Sequence, residues 1–150
     1  MQQMMMQVRF MGSVLRRAAM RIKRLERLGG LRHPAPMSRD TVNRICATFP
    51  GAEVSDPWGG GHDAWKVGGK MFACIGSMDL GVAVKTPDPE TAQMLIDAGV
   101  GERAKYFHRS WVLLPWGTGE DEIAHRLGQS YDIIRAALTR KAQAALPPRP

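Results

Sequence analysis

A glycine-rich segment in the first half of the chain, residues 57–76 (PWGGGHDAWKVGGKMFACIG), restricts the fold more than any other part of the sequence. Residues 62–67 and 70–76 each alternate in side-chain character, a pattern that is typical of β-strands. Between them lies Gly68-Gly69, a two-residue connection that suits the positive φ angles of a tight turn. The segment therefore predicts a β-hairpin.

Two kinds of binding loop would also use the glycines, histidine and aspartates of this segment, and the sequence favours neither. A phosphate-binding loop joins a strand to a helix N-terminus, whereas these glycines lead into a strand or join two strands. A metal site would draw on scattered side chains: Asp56, His62, Asp63 and either His108 or His125. No HxxxH, HxH or paired-cysteine spacing accompanies them. We therefore predict no cofactor and no metal site.

A nucleophilic enzyme is not predicted either. Strict alternation places Cys74 on the same strand face as Phe72, where we interpret it as a small buried hydrophobic residue. No serine lies in a GxSxG motif. The chain is therefore expected to be non-enzymatic, with no catalytic residues.

The remaining predicted elements alternate between helices and strands. Besides the hairpin strands, they are a helix over residues 38–48, a strand over 80–85, a helix that residues 86–90 open and Gly99 ends, a short strand or irregular segment over 103–109, a strand over 111–114, and a helix over 118–140 that Gly128 breaks in two. Consecutive hairpin-linked strands predict an α+β fold, with a twisted antiparallel sheet and helices packed on one face.

The length of 150 residues corresponds to one domain, and no run of about 18 uncharged apolar residues predicts a membrane span. The two cysteines, Cys46 and Cys74, lie far apart in apolar surroundings and lack CxxC spacing. We interpret them as reduced core residues, which indicates a cytoplasmic protein.

The net charge of +7 belongs to one segment of the chain. Residues 1–36 carry eight basic residues and one acidic residue, whereas residues 37–150 carry thirteen of each. The net charge of the domain therefore gives no support to nucleic-acid binding, because its basic and acidic residues balance.

Residues 1–36 have a helical pattern of their own, which Gly29-Gly30 ends before a Pro-rich linker at 33–36. Its apolar stripe consists of Met4, Val8, Met11, Leu15, Ala18, Ile22 and Leu25. Three explanations stay open: an arm that contacts nucleic acid or a membrane surface, a helix that docks on a protein partner, and translated sequence upstream of a true start at Met37. Arginines interrupt the apolar residues, so a secretory signal is not predicted.

Tryptophans and lysines are the remaining candidate contacts for a partner. Trp65 and Trp111 are predicted to be core residues because each would bury a large apolar area. Lys66, Lys70 and Lys85 flank or extend the predicted hairpins. They would protect sheet edges and keep the protein soluble, or they would contact phosphates from projecting hairpins, and the residues alone do not choose between these roles.

Residues 37–141 resemble the MmcQ/YjbR family, whose members resemble frataxin-like CyaY in fold. The resemblance rests on four segments in order: HDAWKVGGKMFACI, VAVKTPDPETAQMLI, KYFHRSWVLL and LGQSYDIIRAAL. Its most specific parts are KVGGKMF and the Ser-Tyr pair before the last helix. The resemblance covers the domain and none of the arm. With the sequence patterns described above, it predicts three regions: a basic arm and linker over 1–36, a YjbR-like α+β domain over 37–145, and a Pro-rich tail over 146–150.

The same resemblance implies a DNA-binding protein with a double-wing motif, in which Gly68-Gly69 is the tip of one wing. The basic residues that match the family's positions are Lys66, Lys70, Lys85, Lys105 and Arg109. The frataxin-like fold also suggests iron delivery, but the first helix carries only Asp40, beside Arg39 and Arg44, rather than an acidic ridge, so we do not predict iron delivery. The expected function is therefore DNA binding by hairpin lysines, and the alternative is a protein-interaction or small-ligand-binding domain.

Overall fold

The structure, a computed structural model, describes residues 37–150. The predicted arm and linker over residues 1–36, with the three explanations for them, lie outside the described residues. Within residues 37–150, no helix is both long and apolar enough to cross a membrane.

Six antiparallel strands form one sheet in the order β1-β2-β3-β4-β6-β5. The strands are β1 (Glu53–Ser55), β2 (Asp63–Val67), β3 (Lys70–Ile75), β4 (Gly81–Lys85), β5 (Glu102–Arg103) and β6 (Trp111–Pro115). The predicted hairpin is confirmed. Strands β2 and β3 pair with each other, and Gly68 and Gly69 connect them with φ angles of 56° and 78°. Strand β1 was not predicted, because its three residues are all exposed and carry no alternating pattern.

A bulge interrupts the hairpin and changes which residues share a face. Trp65 pairs with Ala73, but the next residue of β2, Lys66, pairs with Met71, so β3 contains one extra residue at Phe72. The prediction that Phe72 and Cys74 share a face is therefore wrong. Phe72 packs into the main core, whereas the side chain of Cys74 lies in a second cluster.

Four helices complete the described domain: α1 (Arg39–Ala47), α2 (Pro89–Asp97), α3 (Glu120–Ala136) and α4 (Arg140–Ala144). Ser38 is the predicted N-cap of α1 and accepts a hydrogen bond from the Thr41 amide. The predicted break at Gly128 is wrong, since α3 continues through it. A helical glycine costs only about 1 kcal/mol relative to alanine, and the packing of one face of α3 against the sheet outweighs that cost.

The main core lies between one face of the sheet and helices α1, α2 and α3, which confirms the predicted α+β fold. At its centre Phe49 stacks on Tyr131 at 4.9 Å, and Phe72 meets both rings edge-on. The opposite face carries the second cluster, which contains no helical residue: Cys74, Ala83, Ala104 and Trp111, with Met71, Phe107 and Leu113 against them. Trp65 and Trp111 are both buried, as predicted, but they lie on opposite faces.

The Ser-Tyr pair lies within α3 rather than before it. The buried Ser130 hydroxyl donates to the Phe72 carbonyl oxygen at 2.6 Å and accepts from the Lys85 amide at 2.9 Å. It thereby bridges β3 and β4 where their own pairing stops. The Tyr131 hydroxyl donates to the Pro50 carbonyl oxygen at 2.5 Å. The pair therefore fastens the helix to the sheet and to the end of α1.

Residues 146–150, predicted as a Pro-rich tail, contact the domain. The Arg149 guanidinium lies 4.9 Å from the centre of the Phe49 ring and 5.0 Å from that of Tyr131. Its Nε atom also donates to the Asp132 carboxylate at 3.0 Å. Cation–π contact and ion pairing hold this segment against α3.

Candidate functional site

The five predicted site residues share one end of the sheet: Lys66, Lys70, Lys85, Lys105 and Arg109. Two of them finish or nearly finish β2 and β4, one begins β3, and two lie in the β5–β6 loop (residues 104–110). Antiparallel neighbours run in opposite directions, so these positions meet at the end that holds the 68–69 turn and the β5–β6 loop. We call it the basic end.

Lys66 and Lys85 also share a face. Lys66 pairs with Met71 and Lys85 with Trp111, and directly paired residues of antiparallel strands place their side chains on the same side. Met71 and Trp111 both belong to the second cluster. With β3 between them, the two lysines lie about two strand spacings, roughly 10 Å, apart. Both lie on the face that no helix of residues 37–150 covers.

A hydrogen-bonded chain fixes the ammonium group of Lys85. Its Nζ donates to Ser110 Oγ at 2.9 Å, and this oxygen lies 2.9 Å from His108 Nδ1. The Ser110 amide also donates to Nδ1 at 3.2 Å, so Nδ1 acts as an acceptor. Ser110 is only 2% exposed. These hydrogen bonds therefore position Lys85 rather than presenting a nucleophile. Only the His-x-Ser spacing of residues 108–110 could have indicated them from the sequence.

The β5–β6 loop presents Lys105 and Arg109 to solvent. The Phe107 ring lies 4.8 Å from the Trp111 ring, and Ala104 is buried beside them. Arg103 donates to the carbonyl oxygens of Ala104 and Phe107 at 3.2 and 3.1 Å. These contacts hold the loop against the open face of the sheet.

Lys70 lies apart from the other four. It pairs with Val67, whose side chain belongs to the main core, so it lies on the helical side of the sheet. The turn next to it rests on the end of α3: a Cβ atom at Gly68 would lie 2.5 Å from Leu138. The hairpin tip is therefore packed against the domain on one flank.

The contact between the turn and Leu138 also brings in two cations that the sequence did not single out. Arg140 and Lys141 come shortly after Leu138, at the start of α4, and both are exposed. Only the contact between the turn and Leu138 reveals that they lie near the basic end, because they are about 70 residues from the hairpin in sequence.

Within residues 37–150, Arg39 pairs with Asp63 and Asp79, Arg126 with Glu122 and Arg149 with Asp132, and the His62 Nδ1 atom lies 3.5 Å from the Asp56 carboxylate. None of these pairs includes a cation of the basic end. The acidic residue nearest to Lys66 in the sheet is Glu53, its cross-strand partner on β1. The cations of the basic end are therefore not neutralised by an ion pair within residues 37–150.

The opposite end of the sheet, which we call the loop end, is formed by loops 56–62 and 76–80. Arg39 joins these loops by donating to four groups: the carbonyl oxygens of Gly61 and Gly76 and the carboxylates of Asp63 and Asp79. Burial alone would raise the pKa of Asp63, but hydrogen bonds from Asn43 and Arg39, with the charge of Arg39, lower it below its usual value. The contacts of Asp63 with Arg39 and Asn43 therefore give this carboxylate a structural role.

The described residues contain no group of three His, Cys, Asp or Glu side chains that could hold a metal ion. Cys46 and Cys74 are free thiols, and burial raises their pKa values to about 12 and about 11. An open groove runs along α3 beside Gly128, Asp132 and Arg149, away from the basic end.

The family model described as YjbR matches residues 47–133 of the chain. Among solved structures, the chain is similar to the crystal structure of Deinococcus radiodurans protein DR2400, which is described with the family-model domain DUF419. The TM-score is 0.66 at 20% identity, over 73% of this chain and 88% of that chain, which shows a shared fold. No curated protein matches the chain.

Proposed function

The chain belongs to the YjbR family, and from this premise we propose that its domain binds DNA by contacting backbone phosphates with the cations of the basic end. The observation that carries the proposal is the gathering of Lys66, Lys85, Lys105 and Arg109 at that end of the sheet, with no ion pair to any of them in residues 37–150. Phosphate contacts require only a few positioned cations and carry no sequence information by themselves.

The zero net charge of residues 37–150 does not oppose this proposal, because the charge is unevenly distributed along the sheet. Helix α3 begins with three acidic residues, 120–122, shortly after β6 ends at the loop end. It finishes near Leu138 at the basic end, where Arg140 and Lys141 follow. Acidic residues are also present at the basic end, since the exposed Asp88 and Glu90 follow Lys85 and Glu53 is the cross-strand partner of Lys66. The cations named at that end outnumber them, and this local excess of positive charge is what a phosphate backbone would meet.

The double-wing motif would use Lys66 and Lys70 together at the tip of the hairpin, but these two lysines lie on opposite faces of the sheet. Lys66 extends from the open face of the sheet beside Lys85, whereas Lys70 lies on the helical side near α4. We therefore assign the principal contacts to Lys66, Lys85 and the β5–β6 loop, with Lys70, Arg140 and Lys141 at the flank. The free, buried thiols are consistent with action in the reducing cytoplasm.

The test is a salt titration of duplex DNA binding by the full chain and by the double variant Lys105→Gln/Arg109→Gln. Neither side chain makes a hydrogen bond within residues 37–150, so the fold should be unaffected. The logarithm of the affinity should fall less steeply with salt, by about 0.9 for each phosphate that is no longer neutralised. Binding at low salt should weaken accordingly.

The control is Arg44→Gln/Arg126→Gln, which removes the same charge from helices α1 and α3. Because this variant also breaks the ion pair between Arg126 and Glu122, thermal unfolding must first show that it is folded. It should change the salt dependence far less. Equal effects of both double variants would mean that overall charge, including that of residues 1–36, accounts for binding. Absence of any salt-dependent binding would favour the alternative, a protein-interaction or small-ligand-binding domain.

A further inference from the structure

One aromatic side chain at the basic end has no role in the fold. Tyr106 is fully exposed (103%), whereas the next most exposed large apolar residue, Met78, stands at 76%. Within residues 37–150 the Tyr106 ring makes no aromatic contact and its hydroxyl makes no hydrogen bond. Its backbone has a φ of 70°, in the left-handed region that a tyrosine rarely adopts.

The surrounding loop holds Tyr106 in this conformation. The Phe107 amide donates to the Ala104 carbonyl oxygen at 3.3 Å, which closes a turn around residues 105 and 106. Phe107 is anchored on Trp111 at 4.8 Å, and Arg103 binds two carbonyl oxygens of the loop. A strained residue persists where its neighbours determine its conformation. The contacts of the loop therefore keep Tyr106 exposed rather than bury it.

The charges beside Tyr106 indicate what the ring would meet. Lys105 precedes it, and Arg109 follows three residues later, both exposed and outside the ion pairs of residues 37–150. Lys85 is held on the adjoining strand through Ser110. An aromatic face among cations suits single-stranded nucleic acid, because the cations follow the backbone while a base stacks on the ring.

A base in a duplex is already stacked on both sides and is not available to a protruding side chain without unstacking. We propose that Tyr106 is a stacking platform for an unpaired base, so that the basic end prefers single-stranded DNA to duplex DNA. This inference rests on the proposed function, since Lys105 and Arg109 supply the phosphate contacts. The inference adds to that function a preference for single-stranded DNA.

The experiment compares the full chain with Tyr106→Ala and Tyr106→Phe, using a labelled 12-nucleotide oligothymidine and a 12-base-pair duplex at low salt. The wild type should bind the single strand more tightly. Tyr106→Ala should weaken single-strand binding roughly tenfold, as loss of one base–aromatic stack does, and leave duplex binding unchanged. Tyr106→Phe should bind like the wild type, because stacking needs the ring and not the hydroxyl.

Two controls separate stacking from other effects. Trp58→Ala removes an exposed aromatic ring from the loop end and should change neither affinity. An oligomer of abasic sugar-phosphates should bind the wild type and Tyr106→Ala equally, since it offers phosphates without bases.

The two proposals fail in different ways. Equal affinity for single strand and duplex, or a Tyr106→Ala variant that binds the single strand like the wild type, would overturn the stacking platform while phosphate binding stands. A Tyr106→Phe variant as weak as Tyr106→Ala would assign the contact to the hydroxyl and also overturn it. Absence of salt-dependent binding to either DNA would overturn both proposals.

Discussion

The loop end and the basic end are built on the same strands but use their charges differently. At the loop end, one guanidinium makes four hydrogen bonds within the domain: Arg39 to Gly61, Asp63, Gly76 and Asp79. At the basic end, the side chains of Lys105 and Arg109 make none within residues 37–150. A cation whose donors are satisfied internally contributes to stability, whereas one without internal partners is available to a ligand. The comparison supports the proposal that the basic end is the binding surface, whereas the side-chain contacts at the loop end stabilise the fold.

The two ends also differ in how they use tryptophan. At the loop end Trp58 is 60% exposed and its ring centre lies 5.2 Å from that of His62, whereas Trp116 is partly buried and donates to the Asp79 carbonyl oxygen. At the basic end Trp111 is 8% exposed and supports Phe107. The basic end therefore combines exposed cations with a buried scaffold, and the following substitutions test that combination.

The largest expected effect is that of Trp111→Ala, which should lower the free energy of unfolding by about 3–5 kcal/mol, as truncation of buried aromatic residues does. Trp58→Ala is the matched control and should change it by no more than about 0.5 kcal/mol. Urea unfolding of both variants measures the difference. Equal losses would mean that the second cluster does not support the β5–β6 loop.

A smaller effect concerns the loop end and its dependence on pH. The folded-state pKa of Asp63 is lowered, so its contribution to stability is present above the usual value of 3.8 and is lost as the pH falls through the lowered value. Asp63→Asn should therefore destabilise the protein at pH 7 and show a shallower loss of stability below about pH 4. Thermal unfolding between pH 7 and pH 2.5 measures it. Parallel curves for wild type and variant would show that Arg39 does not stabilise the charged form.

The hairpin and the α+β class were predictable because alternation and Gly68-Gly69 act locally. Two features were not. The bulge at Phe72 breaks the strict alternation on which the face assignment of Cys74 depended. The continuity of α3 through Gly128 depends on packing against the sheet, which outweighs local propensity. Predictions of these features require knowledge of tertiary contacts.

The candidate site was also predictable only in part. The family resemblance indicated all five cations, but sequence could not show that Lys70 lies on the helical side while Lys66 and Lys85 share the open face. Burial and backbone conformation distinguish Tyr106, and neither is encoded by the short segment KYFHR alone. The position of Arg140 and Lys141 near the basic end was recognised only from the contact between Leu138 and the hairpin turn.

Binding at the basic end is tested most directly by mapping DNA contact residue by residue, by following the backbone amide signals of the full chain in nuclear magnetic resonance spectra as an oligonucleotide is added. We expect the shifts to concentrate at the basic end, in residues 66–70, 104–110 and 139–141 and at Lys85. The loop end, residues 56–62 and 76–80, should stay unchanged. Shifts centred on the loop end, or shifts confined to residues 1–36, would contradict the assignment of binding to the basic end.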